Sequence, residues 1–245
     1  MFDPALIPAH VCSRERLLRL NQMLERLAGR RVSRIVMQEP ESRVRVSNMV
    51  RTYCQAHLRR CLVLVDSAHG LFFTENGLAS LIAIRSLYET VANFLDYERK
   101  LQALLDEGDL QKIHDFVHAR TYATRLKRMI DFTGSPDVQA TNILTQIDRM
   151  NEIRDTVREE YDLLCEHAHP NGFGGVLYFA DLQSERDTAI FQDGGPDPTD
   201  DLQWVIVGTD LLKYFEQALD RIEARLPALS AKGRELSPNL EKKSD

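Results

Sequence analysis

No apolar run in this chain approaches the roughly eighteen residues that a membrane-spanning helix needs, so a bilayer-spanning role is set aside. The first twenty residues lack the basic start, apolar core and small-residue cleavage site of a secretory leader. None of the four cysteines, Cys12, Cys54, Cys61 and Cys165, forms a C-x-x-C pair, which removes zinc ribbons and thioredoxin-type redox motifs. With no export signal, reduced and mostly buried thiols in a cytoplasmic protein are expected. There is no G-x-S-x-G elbow, no P-loop, and no G-x-G-x-x-G opening a helix after a strand. Basic excess is missing too. Against 37 Asp and Glu stand 31 Lys and Arg, a net charge of -6, which argues against coating duplex nucleic acid by charge alone.

What is present is a globular composition. Hydrophobic residues make up 43% and charged residues 28%, which excludes wholesale disorder. The pattern is helical for most of the length. Ser13 reads as an N-cap, with Leu17, Leu20, Met23, Leu24 and Leu27 recurring at helical spacing until Gly29. Residues 30–42 read as a short strand or an extended connector. Helical spacing resumes over residues 41–68. The third helix, from Thr74 to Gly108, is apolar on more than one face and so belongs at the centre of a bundle. Further helices are expected at 110–132, 137–167 and 199–226. Between the last two, residues 175–180 and 188–191 read as short β runs forming a hairpin. The expected fold is all-α: a bundle of about six helices with a small β-hairpin insert near residues 175–192. Residues 1–230 form a single domain, and 231–245 a flexible polar tail.

Two stretches can carry chemistry. Arg85 and Glu89 are four apart inside the apolar third helix, so they share a face and can pair. They read either as the polar lining of a central pocket or as a structural ion pair fixing helix register. The second stretch, residues 161–175, ends a helix with two histidines and a stop built from Pro170, Asn171, Gly172, Gly174 and Gly175. Tyr161, Cys165 and His169 lie at successive intervals of four, which makes His169 rather than His167 the inward ring. Pro170 opposes helical backbone at His169. His169 and His167 are candidate acid–base groups, Arg85 and Glu89 candidate catalytic charges, and Tyr161 and Asn171 candidate binding residues. The alternative for the histidines is to cap the last carbonyls of the helix.

Metal binding has a weaker pattern. Glu166-His-Ala-His169 and Asp66-Ser-Ala-His69 resemble the Glu-x-x-His pairs of di-iron bundles, but an up-and-down topology puts them at opposite ends. His114 and His118 are spaced for one ion yet lack a third ligand. No metal or cofactor is expected. The arginines of residues 14–31 could meet RNA phosphates, while a solvated face is the default reading.

With Arg85-Ser-Leu-Tyr-Glu89 and Tyr161 to Pro170 in view, the chain resembles bacterial helical domains of unknown function. In those an Arg-x-x-x-Glu helix meets a later helix end reading Tyr, three residues, Ser, three residues, His-Pro. Here Cys165 stands where the serine would be, and the resemblance spans roughly residues 45–170. More distantly the chain is similar to the HEPN class, many members of which are metal-independent ribonucleases of toxin–antitoxin and phage-defence systems. Their signature is Arg, four to six residues, then His. Arg51 and His57 fit that count; Arg158 and His167, with eight residues between, do not. The expectations are therefore a polar ligand pocket around Arg85, Glu89 and His169, or, as the resemblance implies, RNA cleavage without metal. Helices apolar on two sides also predict a homodimer face.

Overall fold

In the computed structural model, residues 1–37, 42–134, 136–183, 186–195 and 197–235 are described. The chain is an all-α bundle carrying one two-stranded hairpin. Its order is α1 (Arg14–Gly29), α2 (Ser42–Phe73), α3 (Gly77–Glu107), α4 (Leu110–Thr121), α5 (Lys127–Thr133), a 3-10 turn (Pro136–Val138), α6 (Ile143–Asn151), α7 (Val157–Ala168), α8 (Val176–Phe179), β1 (Ala180–Gln183), β2 (Thr188–Phe191), α9 (Pro198–Asp210) and α10 (Leu212–Glu235). Among the described residues no helix is long and apolar enough to cross a membrane.

Helix α3 is the axis of the bundle. Leu81, Ile84, Leu87, Tyr88, Val91, Phe94, Tyr97 and Leu101 are buried over more than half of its circumference. They are covered by α2, α4, α6, α7, α9 and α10 of the same chain. A helix with so broad an apolar face is stable only when several neighbours cover it, so its composition dictates its central position. Exposed large apolar side chains include Ile82 on α3, Val63 on α2, Phe132 on α5 and Leu182, Ile190 and Phe191 on the hairpin.

Three of the expected helices are split. The stretch 110–132 breaks at Tyr122–Leu126, where Thr124 leaves the helix to form a parallel bridge with Gln139. The stretch 137–167 becomes a 3-10 turn, α6 and α7. The Asn142 side chain caps α6 through the Leu144 N–H, and Thr156 takes φ 76 before α7. The stretch from 199 turns at Leu211 into α10, which runs past the expected stop at Leu226 to Glu235 despite Pro227. Buried Leu229 and the Lys232 ammonium, which donates to the Gly108 carbonyl at 2.6 Å, hold those extra turns in place. Residues 231–235 of the expected tail are thus helical, and its remainder lies outside the described residues. Residues 31–37 are an irregular connector, with no strand among them.

The arginines of α1 face carboxylates. Arg16 pairs with Asp210, Arg26 with Glu216 at 2.9 Å, and Arg30 with Asp220 and Glu223, both at 2.7 Å. These straps tie α1 to α9 and α10, so the arginines nominated for RNA phosphates are largely engaged within the fold. Each exposed pair adds at most about 1 kcal/mol.

Candidate functional site

Arg85 and Glu89 leave α3 toward α7, where the i, i+4 spacing of Tyr161 and Cys165 presents both side chains to them. The Arg85 Nε–H donates to Cys165 Sγ at 3.1 Å and its Nη2 donates to the Tyr161 hydroxyl at 3.2 Å. The Tyr161 O–H donates in turn to Glu89 Oε1 at 2.8 Å, and the Arg85–Glu89 ion pair closes the ring at 3.1 Å. The guanidinium also lies 5.5 Å from the Tyr161 ring centroid. Burial, with the bond to Glu89, pushes the Tyr161 phenol up from its ordinary value. The Arg85 and Glu89 side chains are 26% and 28% exposed, so the pair sits at the edge of the core rather than at its centre. Three of the nominated residues are therefore together, and they satisfy one another across the α3–α7 contact.

Such a ring locks one helix against the next. Arg85→Ala removes two charge-assisted donors and the ion pair at a partly exposed place, and should cost about 1–2 kcal/mol. A thermal melt falling by a few degrees would show this. An unchanged melting temperature would deny the lock.

His169 does not join the cluster. Pro170 pulls it out of the helix into extended backbone (φ -91, ψ 146), so the four-residue face shared with Tyr161 and Cys165 ends one turn short. Its ring is exposed, and only its backbone N–H reaches back, to the Cys165 carbonyl at 3.0 Å. His167 is the half-buried ring instead. It sits edge-on to Tyr178 with centroids 6.2 Å apart, and its Nδ1 lies 2.9 Å from the Leu163 carbonyl. Asn171 is occupied by the turn: its Oδ1 accepts from the Phe173 and Gly174 N–H groups and its amide donates to Glu166. A side chain on Gly174 would run into the carbonyls of His167 and His169, so this turn wraps the end of α7 closely enough to need glycine. Val176–Phe179, expected as a strand, form the single turn α8, and the hairpin pairs Ala180–Gln183 with Thr188–Phe191.

Two other histidines, both on α2, pack against aromatic rings. His57 stacks on Tyr53 with centroids 4.1 Å apart and binds the Tyr53 carbonyl, and burial lowers its pKa; Arg51, six residues away, is exposed. His69 packs between Phe2 and Phe73. His114 meets Asp115. Among the described residues no three His, Cys, Asp or Glu side chains are placed to share a metal ion. All four thiols are free; Cys12, Cys54 and Cys61 are buried and Cys165 is half-buried.

The turn after α7 delivers one arrangement that residue spacing does not reveal. It brings Tyr178 of α8 against the N-terminal ends of α3 and α9. There its buried hydroxyl donates to Asp201 Oδ2 at 2.6 Å. Asp201 is only 6% exposed, and burial holds its carboxyl above the usual range, against the opposing pull of the Tyr178 bond and of His167 nearby. Gly77, the first residue of α3, lies so close that a Cβ there would stand 2.5 Å from the Tyr178 hydroxyl and closer still to Asp201. This corner lines a cleft of about 720 Å³ bounded by Phe72, Phe73, Glu75, Asp193 and Gly195. Glu75 occupies left-handed backbone (φ 60) in the tight link from α2 to α3, a strained conformation of the kind that collects at ligand sites. A cleft with convergent polar groups and a displaced carboxyl is the best candidate for a functional site on this chain. In the sequence its trace is slight: Asp201 stands four residues before buried Val205 and so lies on the apolar stripe of α9, where an acid is out of place.

Comparison with protein-family models, with curated proteins and with solved structures finds no match for this chain.

Proposed function

We propose that this protein is a binding protein for a small organic cation, an amine or quaternary ammonium carrying an apolar body, held in the cleft at Asp201. The observation that carries the reading is the lining. Three carboxylates (Glu75, Asp193 and Asp201) and three aromatic rings (Phe72, Phe73 and Tyr178) face the space, with no Lys, Arg or His among its described lining residues. A cation there gains Coulomb attraction from acids in a lining that holds no base. It also gains about 0.5–2 kcal/mol from each ring face it covers. Asp201 contributes most, because it is buried and oriented by Tyr178 while its second oxygen is not bound by that hydroxyl.

Calorimetric titration with benzyltrimethylammonium, and with benzyl alcohol as the neutral counterpart, tests this. The cation should bind and the alcohol should not, and Asp201→Asn should weaken binding about tenfold or more. Affinity should also fall on acidification, because protonation of Asp201 removes the charge and its raised pKa brings that loss above the usual carboxylate range. Equal binding of cation and alcohol, or an Asp201→Asn variant that binds as the wild type does, would refute the reading.

The RNA-cleavage alternative retains one supporting feature. His169 is exposed one turn beyond Cys165, the residue Arg85 touches, so an imidazole and a guanidinium both border solvent at the end of α7. Incubation with RNA in EDTA separates the two. Cation binding implies no cleavage; cleavage that persists in chelator and vanishes in His169→Ala and Arg85→Ala would replace it.

A further inference from the structure

Further along α3 the balance of charge around one carboxylate is reversed. Asp96 is 3% exposed, and four cations converge on its one carboxylate. Arg149 reaches Oδ1 at 2.6 Å and Arg99 reaches the same oxygen at 3.1 Å; Lys100 reaches Oδ2 at 2.7 Å, with Arg120 at 3.6 Å. One negative charge cannot balance four positive ones. Asp96 can also use only one donor from each guanidinium at these distances, which leaves the remaining N–H groups of Arg99 and Arg149 without this acceptor.

Those two arginines line a cleft of about 310 Å³ beside the hub. Their side chains are 57% and 39% exposed, so they face water. The rest of the lining is largely apolar, with Ala92 and Leu95 on α3, Met150 on α6 and Ile153 just after it. The charges lining the cleft are evenly matched, Asp96, Glu98 and Glu152 against Arg99, Arg149 and Arg221, and the cationic excess is local to the hub, where Lys100 and Arg120 add to the two arginines. Glu98 is held by Arg221 through two bonds of 2.8 and 3.2 Å, and Glu152 is exposed at the rim.

We infer that the cleft between α3 and α6 is a second ligand site, taking a small organic molecule with a phosphate or carboxylate group. The oxyanion would be clamped between Arg99 and Arg149, and its apolar part would lie against Met150 and Ile153. Two guanidinium forks pinned at one end by a shared buried carboxylate are pre-oriented, and planar forks suit the oxygens of both anion types. The volume is at the lower end of small-molecule sites. The cleft is formed by different residues from the Asp201 site, so the two ligands should bind without competing.

Calorimetry and thermal shift on the full chain with phenyl phosphate, benzoate and sodium chloride at matched ionic strength test this. Phenyl phosphate or benzoate should raise the melting temperature beyond the chloride control, and the stronger of the two identifies the group. Arg99→Gln combined with Arg149→Gln should weaken that binding about tenfold or more. Lys100 and Arg120 still hold Asp96 in that variant, and its helical circular dichroism verifies folding. Should it fail to fold, Ile153→Glu places a carboxylate on the exposed apolar wall without touching the hub and should abolish binding. The inference is overturned if both organic anions shift the melt no more than chloride does. It is equally overturned if a folded variant binds as tightly as the wild type.

Discussion

Replacing Asp96 with alanine should destabilise this protein by about 3 kcal/mol, the lower end of what removing one partner of a buried ionic network costs. The lower end applies because Arg99, Lys100 and Arg149 are partly exposed and can turn to water, whereas Arg120, 14% exposed, is left beside the hole. For a chain of this size the melting temperature should drop by roughly 6–12 °C. The pH dependence identifies the cause. Burial alone would raise the Asp96 carboxyl, but hydrogen bonds from Lys100 and Arg99 outweigh it and hold the pKa below the usual carboxylate value. A depressed folded pKa stabilises above the unfolded value, and that stability is lost as pH falls through the folded one. The gap in melting temperature between wild type and Asp96→Ala should therefore be full at pH 7 and shrink in strong acid. A gap that persists unchanged in acid would mean that packing, not charge, is what the substitution removes.

Gly77→Ala should abolish affinity for organic cations at Asp201 and cost about 1–3 kcal/mol of stability, the usual range for forcing atoms into packed space. Helix propensity alone points the other way, since alanine is favoured over glycine in a helix by about 0.5–1 kcal/mol. The contact decides the sign. A Cβ at this position stands 2.5 Å from the Tyr178 hydroxyl and meets the Asp201 carboxylate as well, so the Tyr178–Asp201 bond must break or α9 must move from α3. Melting and benzyltrimethylammonium titration of the same variant measure both effects. A stable variant with intact affinity would show that the corner relaxes freely and that its geometry does not matter for the ligand.

The Asp201 carboxyl follows the opposite linkage from Asp96. A folded pKa above the unfolded value gives stability that is present at low pH and lost as pH rises through the folded pKa. A burial cost carried at neutral pH is what a site kept ready for a cation would show, since a bound cation stabilises the charged form.

Much of the architecture was legible in residue order alone. The two-sided apolar pattern of residues 74–107 determined that this helix lies at the centre, because only enclosure by other helices can cover both faces. The i, i+4 spacings of Arg85 with Glu89 and of Tyr161 with Cys165 likewise determined which side chains share a face within each helix, since helical spacing is local information, while the meeting of the two pairs was left to packing. Helix ends were less legible. The breaks at Thr124 and Thr156 depend on partners such as Gln139 that are distant along the chain, and α10 outruns Pro227 because Lys232 finds the Gly108 carbonyl. The site itself was decided by tertiary structure. Gly77, Tyr178 and Asp201 come from three elements, and Asp96 draws Arg120 and Arg149 from two others. Periodicity reports which face a residue occupies on its own helix. It carries no record of which distant face will be packed against it, and that packing sets burial, shifts the carboxyls in opposite directions and gathers acids at one cleft and paired guanidinium groups at another.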